Sequence, residues 1–358
     1  MKKKWVGGII ATVILVSAGL YAARIPIAMS VAEKIAMRRL TSSDINLPDG
    51  LHVGLCGTGS PMPDPDRSGP CTVVIAGKQL FLFDAGTGSN KMLARMGLGV
   101  GALNGVFLTH FHSDHLDGLG EIMMNRWAQQ RSGKPLTLYG PQGLKTVYDG
   151  FEEAYKLDTG YRIAHHGTTV MVPDLQGARL HEFQVNGDAA ISVLREPDLE
   201  IDAFAVDHGP VKPAVGYRIR YKGRSVVISG DTAATPQITL NSKNVDLLIH
   251  EALCPELVND LGNWAGQANR PKIQKIMHDI LGYHTSPEQV AAEAQEAKVR
   301  AVVFTHIIPP IPAAPLREIF MGKAKSIFHG DMRIGSDGDL ISLPPNSDRI
   351  EYSNILGN

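Results

Sequence analysis

The run Val106-Phe-Leu-Thr-His-Phe-His-Ser-Asp-His-Leu-Asp-Gly118 constrains this chain more than any other stretch. Residues 106–109 are apolar or β-prone, the pattern of a short buried strand, and His110, His112, Asp114 and His115 follow at once. Imidazole nitrogens and a carboxylate gathered at one strand end are the donors that a borderline-soft dication such as zinc takes. While the chain stays extended, His110 and His112 point the same way. Asp114 and His115 fall where it turns, so the two pairs can serve two neighbouring metals. A solvated polar loop is the plainer alternative, but histidine is too scarce to cluster like this often by chance.

Other apolar runs also end in chemically capable residues. Residues 203–206 lead to Asp207 and His208, 225–229 to Asp231, 245–249 to His250 and Glu251, and 301–305 to His306. Strand ends in layered α/β proteins are where polar loops gather around ligands, so a shared site explains the set better than five coincidences. A hairpin pattern at 72–84, ending in Asp84, is echoed at 216–231, ending in Asp231. The echo suggests two related halves.

The chain of 358 residues, 44% hydrophobic and 20% charged, has the make-up of a folded globular protein. Its 35 basic and 36 acidic residues nearly cancel, and no basic tract follows Lys2–Lys4, so no nucleic-acid footprint is expected. The lysines precede an uncharged stretch at 5–23, which makes residues 1–24 an expected signal peptide or membrane anchor. The chain would then be exported to the periplasm, released by cleavage or tethered to the inner membrane. A buried N-terminal helix of a cytosolic enzyme is the alternative. Residues 25–50 read as a helix and linker, and 51–350 as the main domain. Cys56, Cys71 and Cys254 read as three separate buried thiols, with a Cys56–Cys71 pair open in an oxidising compartment.

Residues 57–67 form a glycine- and proline-rich loop that lacks the Gly-Lys-Ser/Thr of a nucleotide cradle; within it Arg67 is a candidate anion contact. Ser286, Pro287 and Gln289 form a capping-box pattern that sets His284 near a helix start, placed to support a metal ligand.

The block 109–115 resembles the His-x-His-x-Asp-His signature of the metallo-β-lactamase superfamily. Gly57-Thr-Gly-Ser-Pro61, Phe83-Asp-Ala-Gly86, Val227-Ile-Ser-Gly-Asp-Thr232, His250-Glu-Ala252 and Thr305-His306 resemble its flanking blocks. Within the superfamily the layout looks most like the arylsulfatase-like branch and its relatives, the tRNA 3′-processing endonucleases (tRNase Z). The resemblance implies an α/β fold, a four-layer αββα sandwich, holding two zinc ions per chain. It places His110, His112 and His208 on one metal, Asp114, His115 and His306 on the other, and Asp231 between them. Two zinc ions sharing a carboxylate and a water make hydroxide available near neutral pH. Asp114 would orient that nucleophile, and His250 is the candidate acid for the leaving oxygen.

The stretch 121–167 reads as a helical insertion over the site. It resembles the arylsulfatase-like branch more than the endonucleases, and Tyr161, Arg162, His165 and His166 suit an anionic ester with an aromatic or sugar leaving group. The leading expectation is therefore an exported zinc hydrolase of small aryl sulfate or phosphate esters, with a membrane tether and a homodimer left open. A tRNA 3′-processing phosphodiesterase is the alternative; those enzymes carry a protruding arm, for which the short interval from His208 to Asp231 has no room. β-Lactam or lactone hydrolysis is a third reading, as the fold hosts it. A redox di-iron protein fits less well, since His112 is intact and no flavin domain follows.

Overall fold

The computed structural model describes residues 2–41, 47–130 and 132–356, which fall into two compact units, Met1–Asn46 and Leu47–Asn358. In the first unit one helix, α1 (Lys2–Thr41), runs through both the apolar stretch and the segment 28–40. Much of the expected signal or anchor lies outside the residues whose side chains are described, as does 42–46 of the expected linker. Among the described residues no helix is long and apolar enough to cross a membrane.

The second unit is built on two sheets. In chain order its strands are β1 (Leu51–Gly57), β2 (Cys71–Ala76), β3 (Gln79–Phe83), β4 (Leu103–Phe107), β5 (Leu136–Pro141) and β6 (Ala178–Phe183), then β7 (Ile191–Glu196), β8 (Leu199–Ala205), β9 (Val215–Tyr221), β10 (Arg224–Ile228), β11 (Leu247–Leu253), β12 (Ala301–Ile308) and β13 (Asp331–Ile334), and finally β14 (Asp339–Leu343) and β15 (Glu351–Asn354). The first sheet is ordered β15-β14-β1-β2-β3-β4-β5-β6 and the second β13-β12-β11-β10-β9-β8-β7. The echo in the sequence corresponds to a repeated topology. Hairpin β2–β3 is followed by parallel β4, and hairpin β9–β10 by parallel β11.

Strands such as β1 and β11 are buried along their whole length, because both faces are covered. One face of each sheet packs on the other through Val53, Val74, Phe83 and Phe107 against Ile201, Tyr217, Ile249 and Val303. Phe107 stacks on Phe83 at 4.8 Å and on Tyr139 at 4.2 Å, with the Tyr217 ring edge-on at 5.5 Å. The buried Tyr217 hydroxyl donates to the Leu108 carbonyl at 2.5 Å, tying the two sheets together beside the loop that carries His110–His115. Phe107→Ala empties the centre of this aromatic stack, and the expected loss is about 3–5 kcal/mol of stability, read by urea unfolding.

Further helices are α2 (Ser89–Arg95), α3 (Leu119–Gln129), α4 (Leu144–His166), α5 (Pro236–Asn241), α6 (Pro255–Gln267), α7 (Pro271–Ile280) and α8 (Pro287–Glu296). α8 presents Val290, Ala291 and Ala294 to Leu248 and Val302 on the outer face of the second sheet. The capping box at its start forms: the Ser286 hydroxyl accepts from Gln289 N–H and the Gln289 side chain accepts from Ser286 N–H.

Two expectations need correction. The stretch 121–167 is not wholly helical, because Leu136 and Leu138 alternate with half-buried neighbours and β5 joins the first sheet between β4 and β6. Cys56 and Cys71 are a disulfide rather than separate thiols; the β1–β2 pairing brings their Cα atoms to 5.0 Å, and only Cys254 is a free thiol among the described residues.

Candidate metal centre

The seven residues expected as ligands converge from both sheets. Beyond β4, Asp84 at the end of β3 fixes the loop: its carboxylate accepts from Thr109 N–H and from the Thr109 hydroxyl, each at 2.8 Å, and from His115 Nδ1 at 2.8 Å. Asp231 follows β10 through Gly230, whose φ of +62° is open to glycine and whose added Cβ would meet the Val215 carbonyl at 2.8 Å. His306 lies within β12 but is skipped by the pairing, since Glu251 faces Thr305 while Ala252 faces Ile307. This bulge, with φ +45° at His306, turns the ring out of the ladder toward Asp231.

Four donors form one group, His110, His112, His208 and Asp231. His112 Nδ1 lies 3.0 Å from His110 Nε2 and 3.3 Å from His208 Nε2. A second group holds Asp114, His115 and His306; Asp114 Oδ2 is 3.3 Å from His306 Nε2 and 3.5 Å from His115 Nε2. Asp231 Oδ2 faces both groups, at 3.3 and 3.2 Å from the His115 and His306 Nε2 atoms and 3.9 Å from those of His110 and His208.

The outward nitrogens are held from behind. His110 Nδ1 meets the Thr109 hydroxyl at 3.0 Å, His115 Nδ1 meets Asp84, and His208 Nδ1 meets the Tyr283 carbonyl at 3.0 Å. Such contacts fix the ring and present Nε2 inward, and the buried His115 Nε2 has no hydrogen-bond partner among the described residues. Converging donors, most of them buried and three with the outward nitrogen bonded, fit a bound cation.

The electrostatics agree. Burial, reinforced by neighbouring imidazoles, holds His110 well below the ordinary histidine pKa and His208 down at about 4, so both rings are neutral and free to ligate. Burial opposes charge on His115, but Asp231 and Asp84 outweigh it and hold that ring well above the ordinary value. Burial likewise opposes the Asp231 carboxylate, yet His306 and His115 keep it ionised.

His250 is elsewhere. Strand alternation puts it on the face of β11 that carries Leu248, under α8, and its Nε2 lies 4.0 Å from Glu293 Oε2. The next residue, Glu251, takes the opposite face. Its carboxylate accepts from Thr232 N–H at 3.0 Å and meets His284 Nδ1 at 3.0 Å. An imidazole nitrogen of His284 stands within 4.8 Å of donor atoms on Asp231 and His306. The supporting place expected of His284 at the start of α8 fits this position, whereas Asp84 and Glu251 are site residues with no expected role; an acid directly after or within a buried strand was the available signal.

The expected substrate contacts do not join the cluster. Arg67 is spent on the loop, donating to the Thr58 hydroxyl at 2.5 Å and the Gly335 carbonyl at 2.7 Å and lying 3.7 Å from Asp64. On α4, Tyr161 is exposed, Arg162 pairs with Asp158 at 2.8 Å, and His165 and His166 pack edge-on at the exposed helix end.

Fold and cluster define the class, a hydrolase of the metallo-β-lactamase superfamily, and the model of the β-lactamase superfamily domain matches residues 80–307. Ribonuclease Z of Mycobacterium bovis is 34% identical over 297 residues, covering 82% of this chain and 99% of that protein. Ribonuclease Z of Mycobacterium avium is 35% identical over 289 residues, covering 80% and 96%. The chain belongs to the ribonuclease Z family. Among solved structures, the short form of human tRNase Z superposes with a TM-score of 0.60 at 22% identity, over 82% of this chain and 99% of that one. A metallo-β-lactamase fold protein of Bacillus subtilis gives 0.58 at 18%, over 82% and 100%.

These relatives overturn the expectation of a small aryl-ester hydrolase with no nucleic-acid partner, and give the arylsulfatase-like assignment no support. Of the residues meant to select a small anionic ester, Arg67 and Arg162 are tied up in loop and helix contacts, and Tyr161, His165 and His166 are exposed on α4. A missing basic run in the sequence says little about a surface assembled in space.

Proposed function

We propose that this chain is a metal-dependent phosphodiesterase that cleaves RNA at tRNA 3′ ends. The match along nearly the whole length of ribonuclease Z relatives carries the reading. Zinc, two ions per chain in an αββα frame, is supported by the imidazole-rich donor set and by its two groups sharing Asp231. His110, His112 and His208 would hold one ion, Asp114, His115 and His306 the other. Bound zinc would polarise the substrate's phosphoryl group and activate a water.

The chain's own residues do the rest. Asp114 orients the attacking water from the edge of the second group. His284, clamped at Nδ1 by Glu251, moves a proton from Nε2 to the leaving oxygen. Burial and the nearby Asp231 push the Glu251 carboxyl well above its usual range, so that group is poised to share a proton with the ring it holds. The test is cleavage of a 3′-extended tRNA by zinc-loaded protein. A single cut that chelation abolishes supports the reading, whereas intact RNA beside hydrolysis of a small phosphodiester overturns it.

Export is a separate proposal, supported by Lys2–Lys4 ahead of the apolar stretch and by the Cys56–Cys71 bond, which persists in oxidising compartments. Fractionation of cells decides which RNA the enzyme meets; recovery wholly in the cytoplasm refutes export.

A further inference from the structure

His250 and Glu293 meet in the layer between β11 and α8, on the face of β11 opposite Glu251. The His250 ring is wholly buried, and burial keeps it neutral. Its Nδ1 lies 2.7 Å from the Glu251 carbonyl oxygen. A carbonyl only accepts, so the ring proton sits on Nδ1 and Nε2 keeps a bare lone pair. Nε2 has no hydrogen-bond partner among the described residues, and neither has Glu293 Oε2, 4.0 Å away. Two buried acceptors that face each other are both left unsatisfied. A carboxyl carrying a proton on Oε2 turns the same contact into a hydrogen bond, after a shift of about 1 Å.

The other oxygen of Glu293 accepts from Thr235 N–H at 2.8 Å. Thr235 caps α5 and closes the turn that runs on from Asp231. One carboxyl therefore joins α8, the start of α5 and β11. Beside it, a cavity of about 590 Å³ opens between α5 and α8, lined in part by Thr239, Lys243, Glu293 and Glu296.

The charged groups around Glu293 are few. β11 brings His250, with Glu251 behind it; the chain after α5 brings Lys243; α8 itself adds Glu296. On the opposite side of α8, Lys323 N–H donates to Glu288 and His329 N–H to Gln295, each at 3.1 Å. Arg317, Glu318 and Lys325 line a separate cavity. The rest of the layer, including Val227, Val290, Val302 and Phe304, is apolar. Burial, opposed by the Thr235 N–H and reinforced by Glu251 and Glu296, pushes the Glu293 carboxyl up to about 7.

We infer that Glu293 and His250 form a pH-sensitive latch that pins α8 and the Thr235 turn to β11. It is closed while Glu293 carries a proton and donates it to His250 Nε2. It opens when the bare carboxylate withdraws into the cavity toward Lys243. Opening frees Thr235 N–H and admits water, so the turn from Asp231 to α5 loosens above neutral pH. The latch is independent of which substrate the metal centre takes.

The test follows the zinc-loaded full chain, carrying carbon-13 glutamate and nitrogen-15 histidine, by NMR from about pH 5 to about pH 9. Glu293→Gln and His250→Gln assign the two signals. The Glu293 carboxyl is expected to titrate near pH 7, and the proton-free His250 Nε2 to shift at the same midpoint. Urea unfolding gives a second reading. A carboxyl raised on folding from 4.5 to about 7 stabilises the fold below pH 4.5, and that stabilisation is lost as pH rises through 7. The unfolding constant of wild type, divided by that of Glu293→Gln, should therefore rise about 10²-fold from about pH 5 to about pH 8. A Glu293 that titrates in the ordinary carboxylate range, a proton on His250 Nε2, or a ratio flat with pH overturns the latch. If Glu293→Gln does not fold, Glu293→Asp supplies the assignment and the wild-type titration decides.

Discussion

Asp231→Ala is expected to abolish measurable turnover, a fall on the order of 10³ or more, because it removes several kcal/mol of metal-borne stabilisation. One oxygen of this buried carboxylate lies 3.2 to 3.9 Å from imidazole nitrogens of four histidines in two donor groups. Because this oxygen faces both groups, the loss should extend to metal content as well as rate. Metal analysis after gel filtration, together with RNA cleavage, checks both. Asp231→Asn keeps the shape while removing the charge, and it should fail almost as badly. Wild-type metal content in either variant would refute the shared-ligand geometry.

His284→Ala should lower kcat by about 10²–10⁴-fold with little change in KM, the range for loss of a positioned proton donor. His250→Ala should behave differently. That ring is buried beneath α8, its Nδ1 held at 2.7 Å by the neighbouring Glu251 carbonyl, and burial drives its pKa down to about 4. Its removal should cost stability through the cavity left under α8, with kcat changed only a few-fold. Parallel kinetics and urea unfolding separate the two. A His250 variant as slow as the His284 variant, at unchanged stability, would reverse the assignment.

The contrast between these histidines shows what a sequence can carry. The converging cluster was legible because it carries dense, unusual spacing at His110–His115 and lone acids or histidines directly after apolar strands. The repeated hairpin-to-aspartate pattern foretold the β2–β3–β4 and β9–β10–β11 units, and the capping box at Ser286 was readable from local chemistry alone. Which of His250 and Glu251 faces the site depends on the parity of β11, and both faces of that strand are buried, so no polar alternation marks it. The bulge that aims His306 depends on pairing with β11, a contact between distant residues.

Asp84 was missed for a related reason. Its role lies in three hydrogen bonds to residues 25 and 31 positions away. The disulfide needed the β1–β2 register to single out one pair from three cysteines. The substrate was least legible. Tyr161 and Arg162 looked like a recognition helix, yet α4 buries only Leu144 and its arginine is paired within the helix.

The proposed phosphodiesterase chemistry requires two cations, for which His110, His112, Asp114, His115, His208, Asp231 and His306 are the candidate ligands. Diffraction from crystals of the zinc-loaded protein, recorded on either side of the zinc absorption edge, measures this directly. Two anomalous peaks about 3.5–4 Å apart, one on each side of Asp231, are the predicted result. A single peak, or peaks away from these side chains, would contradict it.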